Sequence, residues 1–170
     1  MTRNDSRWAR MPGHNLIPFS MPVEHPAWAI RSARRADASR IVRLISLNVP
    51  SGELLPRSEE FVASHASHFL VASEGDRLLG CVHLDEYAPS LAEIRSLAVV
   101  PEAQGRGVGV ALVSALERLA KARGYHTLFA VSNNEEFFRR RGYVARHVPE
   151  LDRERSAVSK YKGVYAKDIG

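Results

Sequence analysis

The sequence predicts a mixed α/β fold, because strand-like and helix-like segments alternate along it. Short apolar runs within residues 68–73 and 77–85 favour two strands, and the Gly75-Asp76 turn between them is typical of a β-hairpin. Over residues 108–123 the apolar residues recur at helical spacing, and Gly124 marks the end of that helix. A length of 170 residues without internal repeats suits one domain with a single core.

Capping residues and chain breakers indicate the elements that precede the hairpin. Residues 28–31 form the first predicted strand, and Asp37 is placed to cap a helix whose apolar residues share one face. Proline and glycine interrupt the chain over residues 50–56. Ser58 then begins a short predicted helix that spans about residues 58–64.

The elements after the long helix are predicted on the same grounds. A strand over residues 127–131 precedes the polar run 132–134, which is placed to cap a short helix. That helix has glutamates in its first turn and arginines 139–141 in its last, which suits the helix dipole; we prefer this role to a phosphate clamp. Two further strands are predicted over residues 143–148 and 163–167.

The first 26 residues differ from the rest of the chain. Residues 1–26 contain four prolines and little apolar periodicity, so we interpret them as a flexible arm before a domain over residues 27–170. They contain no secretory apolar segment, and no apolar stretch of the chain is long enough to span a membrane. We therefore expect a cytoplasmic protein without a membrane partner.

Composition and charge narrow the class of protein. Hydrophobic residues make up 45% and charged residues 25%, which is typical of a globular protein. The single cysteine, Cys81, excludes an internal disulfide, and its apolar neighbours predict that it is buried. The net charge of +5 suits anionic ligands, but the basic residues are scattered without an aromatic platform, so we expect no nucleic-acid partner.

The segment before the long helix carries an irregular strand. Ala92 and Ile94 alternate, and the alternation resumes at Leu97 and Val99 after a step of three residues. A slip of one residue within a strand is what a β-bulge produces, so we predict a bulge in the strand over residues 92–100.

A glycine-rich turn joins this strand to the long helix. Residues 104–109 read Gln-Gly-Arg-Gly-Val-Gly, and glycines at the start of a helix leave N–H groups uncovered where the dipole is positive. The spacing lacks the dinucleotide fingerprint and the lysine of a Walker loop. The turn therefore predicts a seat for a phosphate or pyrophosphate, and the alternative is a turn that only permits tight packing.

The order of these features resembles the GCN5-related N-acetyltransferase (GNAT) superfamily over residues 27–169. Three blocks, 52–58, 92–99 and 136–143, resemble the acetyltransferase domain of N-acetylglutamate synthases. The resemblance implies the GNAT fold, a mixed and mostly antiparallel sheet that splays at a β-bulge and is flanked by helices. Longer bacterial synthases carry an amino-acid-kinase domain before this one. Only the arm precedes it here, so we expect the arginine-sensing module to be missing.

The resemblance also implies the donor, acetyl-CoA, and the residues that hold it. Backbone amides of the glycine turn would bind the pyrophosphate, with Arg106 adding charge, and the bulged strand would pair with the pantetheine arm. The implied donor-binding residues are Leu97, Ala98, Val99, Gln104, Gly105, Arg106, Gly107, Val108, Gly109 and Val110. An amide near Ser96 or Leu97 would hold the thioester oxygen as it becomes an oxyanion.

Two residues are the implied acid–base pair. Glu93 corresponds to the glutamate that prepares the amine for attack; its alternative role is a strand carboxylate paired with Arg95 or another cation. Many GNAT enzymes have a tyrosine where this chain has Phe138, whereas the synthases use a serine that matches Ser132. Ser132 is thus the implied general acid, and its alternative role is a helix cap.

The implied acceptor is a small amino acid, L-glutamate, held by Arg57 and the backbone of Leu55, with Arg95 and Ser96 as neighbours. Arg57 has an alternative as a solvated residue paired with Glu59 or Glu60. Lys160 stands where the synthases have a second arginine, which leaves open another acceptor such as glutamine or aspartate.

One broader alternative accompanies this interpretation. Position 138 holds phenylalanine and not tyrosine, which leaves open a non-enzymatic acyl-CoA-binding module. The seven histidines form no metal-binding pattern, so we expect no metal. A homodimer is compatible with the sequence.

Overall fold

The computed structural model describes residues 27–153 and 162–170, so the predicted arm over residues 1–26 lies outside the described part. Its strands are β1 (Ala29–Ser32), β2 (Phe69–Glu74), β3 (Arg77–Ala88), β4 (Leu91–Val99), β5 (Thr127–Ser132), β6 (Val144–Ala145) and β7 (Gly163–Asp168). Its α-helices are α1 (Ala38–Ser46), α2 (Glu59–Ser64), α3 (Val108–Ala122) and α4 (Glu135–Arg139). The mixed α/β prediction is confirmed.

The seven strands form one sheet in the order β1-β2-β3-β4-β5-β7-β6. All neighbouring pairs are antiparallel except β4 and β5, which are parallel. Helix α3 packs on one face through apolar residues such as Leu112 and Leu116, and α1 and α2 cover the other through Ile41, Ile45 and Val62. The sheet is thus buried between two helical layers.

The predicted bulge is present in β4. Cys81 of β3 lies opposite Ala98 and His83 lies opposite Arg95, so three steps along β4 face two steps along β3. Within this stretch Ser96 has a φ of +50°, a left-handed conformation that non-glycine residues rarely adopt. The bulge therefore changes the direction of β4 at Ser96.

Strands β4 and β5 separate just before this bulge. Their parallel pairing extends from Leu91 opposite Thr127 only to Glu93 opposite Phe129. Both strands continue beyond this point, β4 to Val99 and β5 to Ser132, without pairing to each other. The separation leaves an opening in the middle of the sheet.

Helix α3 begins directly after the glycine turn, as predicted. It ends at Ala122, and Gly124 follows with the left-handed φ of +84° that is common after a helix. Its close approach to the sheet depends on Gly80 of β3, where a Cβ atom would lie 2.9 Å from Leu112 Cδ1 and 3.0 Å from the Ala98 carbonyl oxygen. Glycine at this position lets the helix sit against the strand.

The structure corrects two predictions about local elements. Asp37 precedes α1 but makes no side-chain cap to it; its buried carboxylate instead accepts the Arg34 N–H (2.8 Å) and ion pairs with Arg31 and Arg40. The reason is that Asp37 itself has a helical backbone, within the short 3₁₀ turn before α1. Strand β6 is also shorter than the predicted 143–148: the Tyr143 N–H bonds to Phe138 at the end of α4, pairing with β7 ends at Ala145, and a 3₁₀ turn follows from Pro149.

Candidate active site

A cleft of about 1070 Å³ occupies the space where β4 and β5 separate. Its walls are the glycine turn, the bulged part of β4, the end of β5, helix α4 and the loop that contains Leu55 and Arg57. These are segments that the sequence predicts as donor and acceptor sites. We refer to this space below as the cleft.

The glycine turn presents unoccupied N–H groups to the cleft. Gly105 and Gly107 have φ values of +77° and +82°, so glycine is required for the shape of the turn. Among the described residues no acceptor bonds to the N–H groups of Gly105, Gly107, Val108, Gly109 or Val110. Such a cluster at the positive end of a fifteen-residue helix suits an anion.

The turn is attached to the end of β4. The Gln104 side chain donates to the Val99 carbonyl at 3.2 Å, and Arg106 lies 3.8 Å from Glu74 on the surface. The Val100 N–H bonds back to β3, at the carbonyl of Leu79. Because successive residues of a strand point in opposite directions, the N–H of Val99 faces the cleft.

Glu93 lies at the point where the two strands separate. Its side chain is nearly buried, and the described residues make no hydrogen bond to its carboxylate. The pKa of Glu93 is raised from 4.5 to about 7, and burial is the main cause. Within this net shift Arg95 and Arg57 act to lower the pKa, and Asp85 acts to raise it. A carboxylate with this pKa and free lone pairs can accept a proton near neutral pH.

Arg95 connects Glu93 to a carboxylate that the sequence analysis missed. Its Nη1 donates to Asp85 Oδ2 at 2.9 Å, and its Nε lies 3.8 Å from Glu93 Oε2. The alternative role of Glu93, a partner of Arg95, is therefore present as a loose contact. Asp85 escaped notice because its position depends on strand register, although charged residues on neighbouring strands were the available signal.

Arg57 is half-buried beside the same group. Its Nε is buried without a hydrogen-bond partner, and its guanidinium lies 5.3 Å from the centre of the Phe61 ring. Burial and the nearby Arg95 lower its pKa. In the described residues Arg57 forms no ion pair with Glu59 or Glu60, so that alternative is wrong.

The other predicted acceptor residues are only partly described. Leu55 is exposed and lines the cleft, and Ser96 is buried at the bulge. Lys160 lies outside the described residues. Lys162, which the sequence analysis overlooked, also lines the cleft and donates to the carbonyls of Gly52 and Glu53 at 2.7 and 2.9 Å, so it joins the loop to β7.

Ser132 lies at the end of β5 in the cleft wall. It does not cap α4, because Asn134 accepts the Phe137 N–H in that role at 3.2 Å. The Ser132 hydroxyl instead accepts the Asn134 N–H at 3.0 Å, which leaves its proton available to another group. Phe138 is buried in the core against Tyr143 and Tyr165, and its ring has no proton to donate.

The cysteine, the histidines and the arginine run complete the account. Cys81 is fully buried and burial raises its pKa to about 12, so its thiol is inert at neutral pH. The described residues contain no cluster of three or more His, Cys, Asp or Glu that could hold a metal. Arg139 and Arg140 pair with Glu135 and Glu136, whereas the Arg141 guanidinium lies 3.7 Å from the centre of the Phe137 ring.

No helix of the described part is long and apolar enough to cross a bilayer.

Comparisons with known proteins agree with this geometry. The model of the acetyltransferase (GNAT) family matches residues 30–143. An uncharacterized N-acetyltransferase of Chlorobaculum tepidum is 39% identical over 114 residues, which are 67% of this chain and 74% of that protein. An amino-acid acetyltransferase of Neisseria meningitidis is 36% identical over 129 residues, which are 75% of this chain but 30% of that protein.

A solved structure is similar over most of the chain. The N-acetylglutamate synthase of Neisseria gonorrhoeae, complexed with coenzyme A and N-acetyl-glutamate, superposes with a TM-score of 0.76 at 29% identity. The match covers 84% of this chain and 35% of that one, so this chain spans about a third of the length of both Neisseria proteins. The family match, the splayed sheet and the glycine turn lead to one conclusion: the chain belongs to the acetyltransferase (GNAT) family and is an acetyl-CoA-dependent N-acetyltransferase.

Proposed function

We propose that this protein transfers the acetyl group of acetyl-CoA to the α-amine of L-glutamate, the first step of arginine biosynthesis. The observation that carries the proposal is Arg57, a half-buried guanidinium in the cleft whose Nε has no hydrogen-bond partner among the described residues. Its charge lies close enough to the Glu93 carboxylate to influence the pKa of that group. An arginine in this state is suited to bind the carboxylate of an acidic substrate beside the catalytic base.

Glu93 is the proposed general base. An amino-acid amine is mostly protonated at neutral pH, and the Glu93 carboxylate would take one proton from it, directly or through a water molecule. The free amine then attacks the thioester carbonyl carbon, so that a C–N bond forms and the C–S bond breaks. A pKa near 7 suits this exchange, because the base is largely ionised at slightly alkaline pH and still binds a proton well.

Ser132 is the proposed general acid for the departing thiolate of CoA. Its hydroxyl oxygen accepts a backbone N–H, so its own proton is free to be donated into the cleft. A thiol has an ordinary pKa near 8.5, so protonation of the leaving group helps the reaction without being essential. We expect Ser132→Ala to lower kcat less than a change at Glu93 does.

The donor would lie along β4 and the glycine turn. The free N–H groups of Gly105 and of residues 107–110 would bind the pyrophosphate, and the Arg106 side chain would add positive charge. The N–H of Val99 and the backbone around Leu97 would pair with the pantetheine arm. A backbone N–H near Ser96 would stabilise the thioester oxygen as it gains charge.

The acceptor would lie against Arg57, with the Leu55 backbone, Arg95, Ser96 and Lys160 as further contacts. Relatives named amino-acid acetyltransferases and the synthase bound to N-acetyl-glutamate support this choice of acceptor. A second acceptor, glutamine or aspartate, is favoured by one observation, the lysine at position 160 where the synthases have an arginine. Lysine keeps the charge but loses the planar fork that binds a carboxylate in two places.

A panel of L-glutamate, L-glutamine and L-aspartate tests the proposal, with release of free CoA as the measurement. L-Glutamate should give the highest kcat/KM. Arg57→Gln should reduce the preference for glutamate over glutamine by about tenfold or more, because it removes a charge-assisted hydrogen bond of about 1.5–3 kcal/mol. The exposed Arg43→Gln is a matched control and should keep the wild-type preference.

Other outcomes of this panel have definite meanings. A wild-type preference for glutamine or aspartate would replace the proposed acceptor. An unchanged preference in Arg57→Gln would show that Arg57 does not bind the side-chain carboxylate of the substrate. Binding of acetyl-CoA without turnover on any amine would contradict the proposed activity as a whole.

A further inference from the structure

Two carboxylates face each other across the strands beside the cleft. Asp85 of β3 lies directly opposite Glu93 of β4, so their side chains share one face of the sheet. Like charges in such a pair destabilise a sheet unless a cation lies between them. Here the cation is Arg95, which lies two residues beyond Glu93 on the same face.

Arg95 is bound unequally by these two carboxylates. Its Nη1 is 2.9 Å from Asp85 Oδ2, a hydrogen bond, whereas its Nε is 3.8 Å from Glu93 Oε2, which is too long for one. The guanidinium is therefore directed to Asp85. The Glu93 carboxylate remains without a hydrogen bond from the described residues.

We propose that Asp85 is a positioning residue, which holds the Arg95 guanidinium away from Glu93 so that the Glu93 carboxylate stays free to accept a proton. The inference rests on the proposed role of Glu93 as the base. Without Asp85, the flexible arginine would move onto Glu93 and form a closer ion pair. The base would then be blocked and weakened.

The groups around Glu93 agree in direction with this role. Asp85 raises the pKa of Glu93, and Arg95 and Arg57 lower it. From β5 the opposite residue is Phe129, which carries no charge. Removal of the Asp85 charge and approach of Arg95 both act to lower the pKa of Glu93, so their effects add.

A carbon-13 NMR titration of the glutamate side chains tests the proposal in the protein without substrates. The Glu93 signal is assigned by its loss in Glu93→Gln. Asp85→Asn should lower the pKa of Glu93 by about one unit or more, the effect of an opposite charge at close range. The acidic limb of kcat/KM, measured with the acceptor that the panel ranks first, should move with it.

Three variants provide the controls. Asp85→Glu keeps the charge and should hold the pKa close to the wild-type value. Glu86→Gln makes the same change of net charge on the next residue of β3, where Glu86 pairs with Arg123. This control should leave the pKa of Glu93 at its wild-type value. In an Arg95→Gln background, the shift caused by Asp85→Asn should fall to less than half, because the arginine that moves is absent.

Several results would overturn the proposal. An Asp85→Asn protein whose Glu93 titrates as in the wild type would do so, as would an equal shift in the Arg95→Gln background. Asp85 and Arg95 are each about 30% exposed, so Asp85→Asn is expected to fold. The NMR arm needs no acceptor, so a protein that shows the shift but ignores glutamate would contradict the proposed function and leave this inference standing.

Discussion

At the scale of single residues, Glu93 combines its proposed catalytic role with a cost in stability. The folded protein holds its carboxyl in a nearly buried site, which raises the pKa from 4.5 to about 7. Between these values the folded state binds more protons than the unfolded chain does. The contribution of the protonated Glu93 carboxyl to folding stability is therefore fully present below about pH 4.5 and is lost as the pH rises through 7.

Replacement of Glu93 by glutamine should consequently stabilise the protein in alkaline solution. Relative to wild type, the free energy of unfolding of Glu93→Gln should rise by up to about 3 kcal/mol between pH 4 and pH 8, since each pKa unit corresponds to about 1.4 kcal/mol. Urea unfolding of both proteins at several pH values measures this difference. A difference that does not change with pH would contradict the raised pKa.

The same variant should be a poor enzyme. Loss of a general base costs roughly a factor of 10² to 10⁴ in rate, and the acidic limb near pH 7 should disappear from the kcat/KM profile. A protein that is more stable and less active after one change is expected where a buried charge is kept for catalysis. Wild-type turnover in Glu93→Gln would show that another group takes the proton.

At the scale of elements, the contact between α3 and the sheet positions the glycine turn. A Cβ atom at Gly80 would come within 2.9 Å of Leu112, 3.0 Å of the Ala98 carbonyl and 3.1 Å of Val108. The side chain of Leu112 can move, but the backbone of Ala98 and the first turn of α3 are harder to shift. Gly80→Ala should therefore push the start of the helix away from β4 and weaken both packing and donor binding.

We expect Gly80→Ala to lower the free energy of unfolding by about 1–3 kcal/mol, the usual cost of overpacking, and to raise the Kd for CoA. Gly109→Ala is the control for stability, since its Cβ would meet Phe137 at an ordinary 3.5 Å. Alanine there should be neutral or stabilising by up to about 1 kcal/mol. Denaturant unfolding and CoA calorimetry measure the two effects, and a neutral Gly80→Ala would show that α3 adapts.

Local patterns predict these elements well where one residue type has one physical role. Ser58 accepts the Phe61 N–H at the start of α2, Gly124 follows α3, and the slip in apolar alternation marks the bulge at Ser96. Asp37 shows where such reasoning ends. Its carboxylate could cap α1 or bind arginines, and the 3₁₀ turn that holds Asp37, together with the position of Arg31 on β1, decides for the arginines.

The candidate site also has features that local sequence predicts and features that depend on the fold. The glycine turn is recognisable along the chain because neighbouring residues form it, and Glu93 is recognisable because it lies in a block that resembles the synthases. The link from Arg95 to Asp85 depends on the register between β3 and β4, and that register shifts at the bulge. Arg57 has two glutamates nearby in sequence, yet in space it contacts Phe61 and lies near Arg95 instead.

At the scale of the whole molecule, one cleft brings together the groups that we propose for both substrates. The glycine turn, Glu93, Ser132 and Arg57 all line it, and it exists because β4 and β5 pair only as far as Glu93. A volume of about 1070 Å³ is at the upper end of ligand pockets, which suits two ligands bound at once. This arrangement supports direct transfer of the acetyl group between them as the proposed mechanism.

The protein also lacks a reactive thiol for an acetyl-enzyme intermediate. Its one cysteine, Cys81, is fully buried in β3, where burial raises its pKa to about 12, and it donates to the Ser96 carbonyl at 3.4 Å. We therefore expect sequential kinetics, with double-reciprocal plots that intersect when acetyl-CoA and the acceptor are varied, and Cys81→Ser should retain turnover. Parallel plots, or an acetylated enzyme isolated before the acceptor is added, would contradict direct transfer, because both require the acetyl group to leave CoA before the amine binds.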